Sequence, residues 1–161
     1  MDIRSLGRHY EIRWAQKEEW VPAMDMIWRT FLQYEGKTYP EECVRHFFDF
    51  ITGYELYEGF LRGEYLLMVA LDADRIIGAG TVRDRSHLSL LFVDEAYHHR
   101  GVGGALLGKL CDHVKTEEGE RHMSLEAASE AVGFYRKQGF QAVRPEMEIS
   151  GIRLTPMEKV F

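Results

Sequence analysis

The sequence predicts an α/β fold: a mixed, mostly antiparallel sheet of seven strands with helices on both faces. Three observations carry that expectation. Apolar residues recur at helical spacing in two segments after the first strand-like stretch, and again after residues 101 and 129. Between them, three strand-like runs follow one another across turn-sized gaps, which predicts antiparallel neighbours. The third run ends in a glycine-rich turn that opens directly onto a helical pattern. At 161 residues, one domain over 1–161 accounts for the length, and it is large enough for a real core.

In chain order, residues 10–15 alternate as a first strand, with Ile12 and Trp14 on one face. Residues 18–34 place Val21, Met24, Ile27, Trp28 and Phe31 at helical spacing, and Pro22 fits because it falls in the first turn. A second helix over 40–52 carries Cys43, Val44, Phe47, Phe48 and Ile51 as its stripe and stops at Gly53. Residues 55–62 read as a short third helical piece. Such aromatic stripes are expected to be core. Strands over 65–71 and 75–83 are joined by the turn Asp72-Ala73-Asp74. Gly78 and Gly80 inside the second predict close approach of another element, or a bulge. A strand over 87–93 follows. The next helix buries Val102, Ala105, Leu106, Leu110 and Val114 and ends by Gly119. A strand over 123–127 leads to a helix that Ser129 is placed to cap. Residues 141–149 and 152–160 close the chain as a hairpin around Ser150-Gly151.

Composition narrows the function. Hydrophobic residues make up 45% and charged residues 29%, a globular balance. A formal charge of −6 argues against nucleic acid as a partner, since that binding wants a basic surface. An acidic surface suits a cationic amine. Cys43 and Cys111 form neither a metal nor a redox spacing, consistent with a reducing compartment. The opening MDIRSLGRHY has no apolar leader pattern, and the longest apolar run, 65–71, is too short to span a bilayer. A cytoplasmic protein with no membrane association is the expectation.

The segment VDEAYHHRGVGGALL, 93–107, holds the strongest functional signal. Three glycines, Gly101, Gly103 and Gly104, lie where a strand turns into a helix. Glycine lets backbone approach a ligand, and the first helical N–H groups lack partners within the helix, so the place suits a pyrophosphate. A Walker A loop is excluded: Gly103, Gly108 and Lys109 fit, but Leu110 replaces the hydroxyl that holds magnesium. A dinucleotide fingerprint begins at Gly101 and Gly103 and fails at Leu106. A third pattern, [RQ]-x-x-G-x-[GA], fits Gly101 and Gly103, with His98 standing at its Arg/Gln position. Downstream, the strand ending near Ala127 leads to A-x-x-F-Y-x-x-x-G-F, formed by Ala131, Phe134, Tyr135, Gly139 and Phe140.

On these two segments the chain resembles the GNAT N-acetyltransferases, and the resemblance extends weakly to both ends. It implies the GNAT fold, whose sheet splays centrally between the strand at Leu91–Val93 and the strand at Leu125. It further implies acetyl-CoA as acyl donor, with backbone groups of Leu91, Phe92 and Val93 along the pantetheine arm. The backbones of His98, His99, Arg100, Gly101, Val102, Gly103 and Gly104 would then hold the pyrophosphate. The family often dimerises, so a homodimer is allowed.

Acetyl transfer from a thioester to an amine needs a neutral amine, a held oxyanion and a protonated leaving thiolate. Tyr135 is the expected acid, because a phenol with a pKa near ~10 keeps its proton at neutral pH. The base stays open among His87, Glu126 and a water chain. By the two-residue period, His87 shares a face with Ser89, Leu91 and Val93. Glu126 stands where relatives often carry Asn. Tyr34 and Glu35, in the loop between the first two helices, are the expected acceptor contacts. Five of the seven histidines, His87, His98, His99, His113 and His122, invite a metal reading but have no ligand spacing, and no metal is expected. The function expected is direct acetyl transfer to a small or amino-acid-like amine. The alternative is a non-catalytic acyl-CoA-binding sensor.

Overall fold

The computed structural model describes residues 10–161. The reading of the first ten residues for a leader therefore lies, but for Tyr10, outside them. Strand β1 (Glu11–Trp14) is followed by helices α1 (Trp20–Gln33), α2 (Glu41–Thr52) and α3 (Tyr54–Leu61). Strands β2 (Tyr65–Asp72), β3 (Arg75–Arg83) and β4 (His87–Val93) come next, then α4 (Val102–Thr116), β5 (His122–Ala128) and α5 (Val132–Lys137). Three strands close the chain: β6 (Gln141–Ala142), β7 (Met147–Ile149) and β8 (Ile152–Val160). They form one sheet in the order β1-β2-β3-β4-β5-β8-β6, with β7 also on β8. Every pairing is antiparallel except β4 with β5.

The expected strand over 141–149 is two strands. Pro145, with no N–H to give a ladder, lies in the gap, and β6 and β7 pair with different stretches of β8. Ser129 does not cap α5 either. A 3-10 turn over Ser129–Ala131 intervenes, and the Ser129 hydroxyl donates to Glu146 Oε1 at 2.8 Å.

Two cores flank the sheet. On one face Leu106, Leu107, Leu110 and Val114 of α4 are buried against Met68, Val82, Leu88, Met123 and Leu125, with Tyr135 of α5 in the same cluster. Each such side chain contributes about 1.5–3 kcal/mol by leaving water. On the other face Trp20, Ala23, Met24 and Ile27 of α1, with Ile51 and Leu56, cover Leu67, Val69, Ala79 and Leu90. The glycines of β3 explain how closely α4 lies. A Cβ on Gly80 would stand 2.8 Å from Leu110 Cδ1, and one on Gly78 would stand 3.3 Å from Val102 Cγ1. No helix among the described residues is long and apolar enough to cross a membrane.

One irregularity decides which way the site residues face. The β3–β4 register shifts between Thr81 and Val82, so Leu90 pairs with Thr81 but Leu88 pairs with Val82, and Ser89 is the extra residue of a bulge. As a result Leu88 and Leu91 pack on the α4 side, while Leu90 and Phe92 pack on the α1 side. The expectation that His87 shares a face with Leu91 and Val93 is therefore wrong. His87, next to Leu88, belongs to the α1 side.

Candidate functional site

The parallel strands β4 and β5 pair at one position only, His87 with Ser124, where Ser124 N–H donates to the Ser86 carbonyl at 2.9 Å. Beyond it, no ladder joins them among the described residues. Asp94 N–H donates to the Ile77 carbonyl at 2.8 Å. By antiparallel alternation, Phe92 then also turns its backbone to β3, and the backbone groups of Leu91 and Val93 point to the open side. The Phe92 ring lies 6.0 Å from the Phe47 ring, on the α1 side. A wedge thus opens between β4 and β5, edged by Leu91 and Val93.

At the wide end of the wedge the chain makes a fixed turn into α4. Asp94, 6% exposed, accepts from Ala96 N–H at 2.9 Å and from Arg75 at 3.2 Å. The Tyr97 hydroxyl donates to Asp72 at 2.6 Å, and the guanidiniums of Arg75 and Arg100 lie 5.6 and 5.4 Å from its ring centre. His99 and Gly101 adopt left-handed φ values of 64° and 80°. Only glycine does so at no steric cost. The first bond of α4 runs from Ala105 N–H to the Gly101 carbonyl. The amides of Val102, Gly103 and Gly104 are left without helical partners, no acidic side chain occupies that turn, and Arg100 adjoins it. Free amides beside a cation give this turn at the mouth of the wedge the make-up that suits an anion.

The His98 side chain is not part of that set of amides and cation. Its Nε2 lies 2.7 Å from the Val93 carbonyl, its Nδ1 lies 3.4 Å from the Tyr34 hydroxyl, and the two rings stack at 5.3 Å. Tyr34 thus sits over the turn after β4. Glu35, half-buried, begins a 3-10 turn over Glu35–Lys37, and burial pushes its carboxyl above the usual range.

Tyr135 is 9% exposed, edge-on to Phe134 and Phe140. Burial first, and then the charge of Glu35, push its phenol well above the ordinary value. Burial likewise raises Tyr39, to about 12, with Glu130 and Glu35 adding to the effect. On the α1 side of the sheet, His87 Nδ1 lies 2.8 Å from Ser124 Oγ. Because Met123 and Leu125 point into the α4 core, Ser124 and Glu126 share the opposite face with His87. Burial, then Arg83, hold the imidazole below its usual pKa, while Glu126 and Asp84 pull it back up.

The structure thus gathers Leu91, Val93 and residues 98–104 around the wedge and its mouth, and His87 with Glu126 on one face of the sheet. Tyr34 meets His98. Ser124, Tyr39 and Glu130 were not foreseen. Ser124 was within reach, two residues before Glu126 on an alternating strand; Tyr39 and Glu130 join only through tertiary packing. Among the described residues no group of three or more His, Cys, Asp or Glu side chains is arranged to hold a metal.

The acetyltransferase (GNAT) domain profile matches residues 35–161. The chain belongs to the GNAT acetyltransferase family. Its fold is shared by a GCN5-related N-acetyltransferase from Rhodopseudomonas palustris, with a TM-score of 0.80 at 21% identity over 94% of this chain and 96% of that one. PaiA N-acetyltransferase from Thermoplasma acidophilum, solved with coenzyme A, matches with a TM-score of 0.81 at 20% identity over 95% and 99%. YncA from Salmonella typhimurium, solved with its cofactor acetyl-CoA, matches with a TM-score of 0.70 at 18% identity over 94% of each chain. No curated protein sequence matches the chain.

Proposed function

We propose that this GNAT protein transfers the acetyl group of acetyl-CoA directly to a primary amine of a small or amino-acid-like molecule. The observation that carries the reading is the wedge between β4 and β5 opening onto the unpaired amides at the start of α4. An arm bearing amides can lie along Leu91 and Val93 as an added strand would, while a pyrophosphate rests on Gly101, Val102, Gly103 and Gly104. Coenzyme A in the Thermoplasma protein and acetyl-CoA in the Salmonella protein support that occupant.

In the reaction the amine nitrogen attacks the thioester carbonyl carbon, a C–N bond forms, and the C–S bond breaks. A backbone N–H at Leu91 or Val93 is available to the oxyanion. The departing thiolate takes the Tyr135 proton, which burial keeps on the phenol at neutral pH. The amine proton goes to His87 or Glu126. His87, with its pKa held down, is neutral and able to accept it. Tyr34 and Glu35 face the acceptor in this reading, and a cationic amine suits the carboxylates Glu35 and Glu126.

The test is free-thiol release from acetyl-CoA across a panel of amines, amino acids and short peptides, with Tyr135→Phe beside the parent. Amine-dependent release that falls about 10²-fold in the variant supports the enzyme and the acid role. Release unchanged in Tyr135→Phe removes that role. Silence across the panel from a protein that binds acetyl-CoA favours an acyl-CoA sensor.

A further inference from the structure

We propose that His98 is a positioning residue whose side chain couples the cofactor strand to the acceptor-side turn. The proposal rests on the reading of the wedge as the acetyl-CoA site. The Val93 carbonyl only accepts, so His98 Nε2, 2.7 Å away, carries the ring hydrogen. In that tautomer Nδ1 is an acceptor, and the Tyr34 hydroxyl, whose proton the Glu95 carboxylate also draws, reaches it across a long 3.4 Å. The ring planes are within 27° of parallel, so Tyr34 also rides on the imidazole face. One side chain spans from the edge of the wedge to the residue where α1 gives way to the 34–40 turn.

The link does not stand alone. Arg29 lies 3.8 Å from Asp94, and Gln33 donates to Glu95 at 2.9 Å. With Tyr34 on His98, three positions near the end of α1 meet three positions of the turn between β4 and α4. Of these contacts, only His98 also reaches a backbone group on the open edge of β4. The Arg29–Asp94 pair is long, at 3.8 Å, and its Arg29 end is exposed although Asp94 is buried, so it contributes little.

The coupling follows from the two lone pairs of a carbonyl. An amide N–H of a molecule lying along β4 can share Val93 with His98. That second bond repositions the imidazole, and Tyr34 moves with it. The turn after Tyr34 is held by Thr38 and Tyr39 N–H bonds to the Glu35 carbonyl, at 3.1 and 3.0 Å. Those amides report the effect.

Coenzyme A is the probe. Its affinity for each protein is measured by calorimetry. Hydrogen exchange over residues 34–40 is then followed with and without saturating coenzyme A, which removes differences in affinity. The variants separate the two bonds of the ring. His98→Gln puts an amide nitrogen near the Nε2 position and keeps Val93, His98→Asn puts a carbonyl oxygen near the Nδ1 position and keeps Tyr34, and Tyr34→Phe keeps the stack without the hydroxyl. In the parent, coenzyme A is expected to slow exchange in the turn at least about threefold. In all three variants that ligand-dependent difference is expected to vanish, since each breaks one end of the link. A merely structural His98 would alter the exchange of the free protein and leave the coenzyme A response in place. An unresponsive parent turn, or a response retained in both His98→Gln and Tyr34→Phe, overturns the proposal. Absence of coenzyme A binding to the parent overturns the cofactor reading and the coupling with it, and calorimetry distinguishes that failure from the others.

Discussion

His87 sits between opposing charges, and that makes the identity of the base measurable. Burial and Arg83 lower its pKa while Glu126 and Asp84 raise it. A base must be unprotonated, so the acidic limb of kcat/KM is expected below the ordinary histidine value of about 6.5. Arg83→Gln removes a positive neighbour and should move that limb to higher pH. Glu126→Gln removes a negative one and should move it lower, with kcat at the plateau retained. A plateau that collapses in Glu126→Gln and survives in His87→Ala would assign the base to Glu126 instead. A second residue-scale expectation concerns Thr81. Its hydroxyl is buried with no hydrogen-bond partner among the described residues. Thr81→Val keeps the shape and removes the orphan, so denaturant titration should find the variant as stable as the parent or about 1 kcal/mol more stable. Individual roles were only partly legible at this scale. Tyr135 and Glu126 can be singled out from their motif and strand positions. The partnership of His87 with Ser124 cannot, because it depends on which strands lie side by side.

At the scale of elements, α4 was legible nearly to its ends, and its glycines separate two kinds of constraint. Gly101 holds φ at 80°, and no described residue lies within 4 Å of where a Cβ would go, so its need is conformational and not steric. Gly101→Ala should cost about 1–2 kcal/mol and weaken coenzyme A binding as well, since the residue aims the amides that follow it. Gly108 is exposed in the helix interior with no described residue within 4 Å of a Cβ. Gly108→Ala should therefore stabilise by about 1 kcal/mol with coenzyme A affinity unchanged. Thermal melts and calorimetry on the two variants check the contrast, and equal effects would show that the start of α4 has no special role. Strand β4 shows where legibility fails. The run Leu90-Leu91-Phe92 breaks the alternation begun at Leu88, which signals a strand buried on both faces but does not locate the bulge. Periodicity assumes a regular strand, and Ser89 violates that assumption. Pro145 divides the last hairpin by the same kind of local exception, and there the residue type itself is the clue.

For the whole molecule, the order of elements was readable from periodicity and turns, whereas the wedge was expected only through resemblance. No run of residues announces that two parallel neighbours separate after one pair. The consequence is mechanical. Among the described residues, strands β1–β4 and strands β5–β8 pair in the sheet at His87 and Ser124 alone; packing of α4 and α5 across one face and the Cys43 contact to the Ser150 carbonyl add to that junction. A molecule lying in the wedge with its pyrophosphate on α4 would touch both halves and would bind the folded chain only. Coenzyme A at 100 times its Kd should then stabilise by about 2.7 kcal/mol. For a chain of this size that corresponds to a rise in Tm of about 5–11 °C. ATP carries phosphates and an adenine but no pantetheine arm, so it can occupy the start of α4 without bridging the strands. Thermal melts with coenzyme A, ATP and no ligand separate the cases, at concentrations set by calorimetry. A larger exchange slowing at the Leu91 and Val93 amides with coenzyme A than with ATP is expected if the arm lies along β4. Equal slowing by the two ligands would confine binding to the start of α4 and leave the wedge without a role.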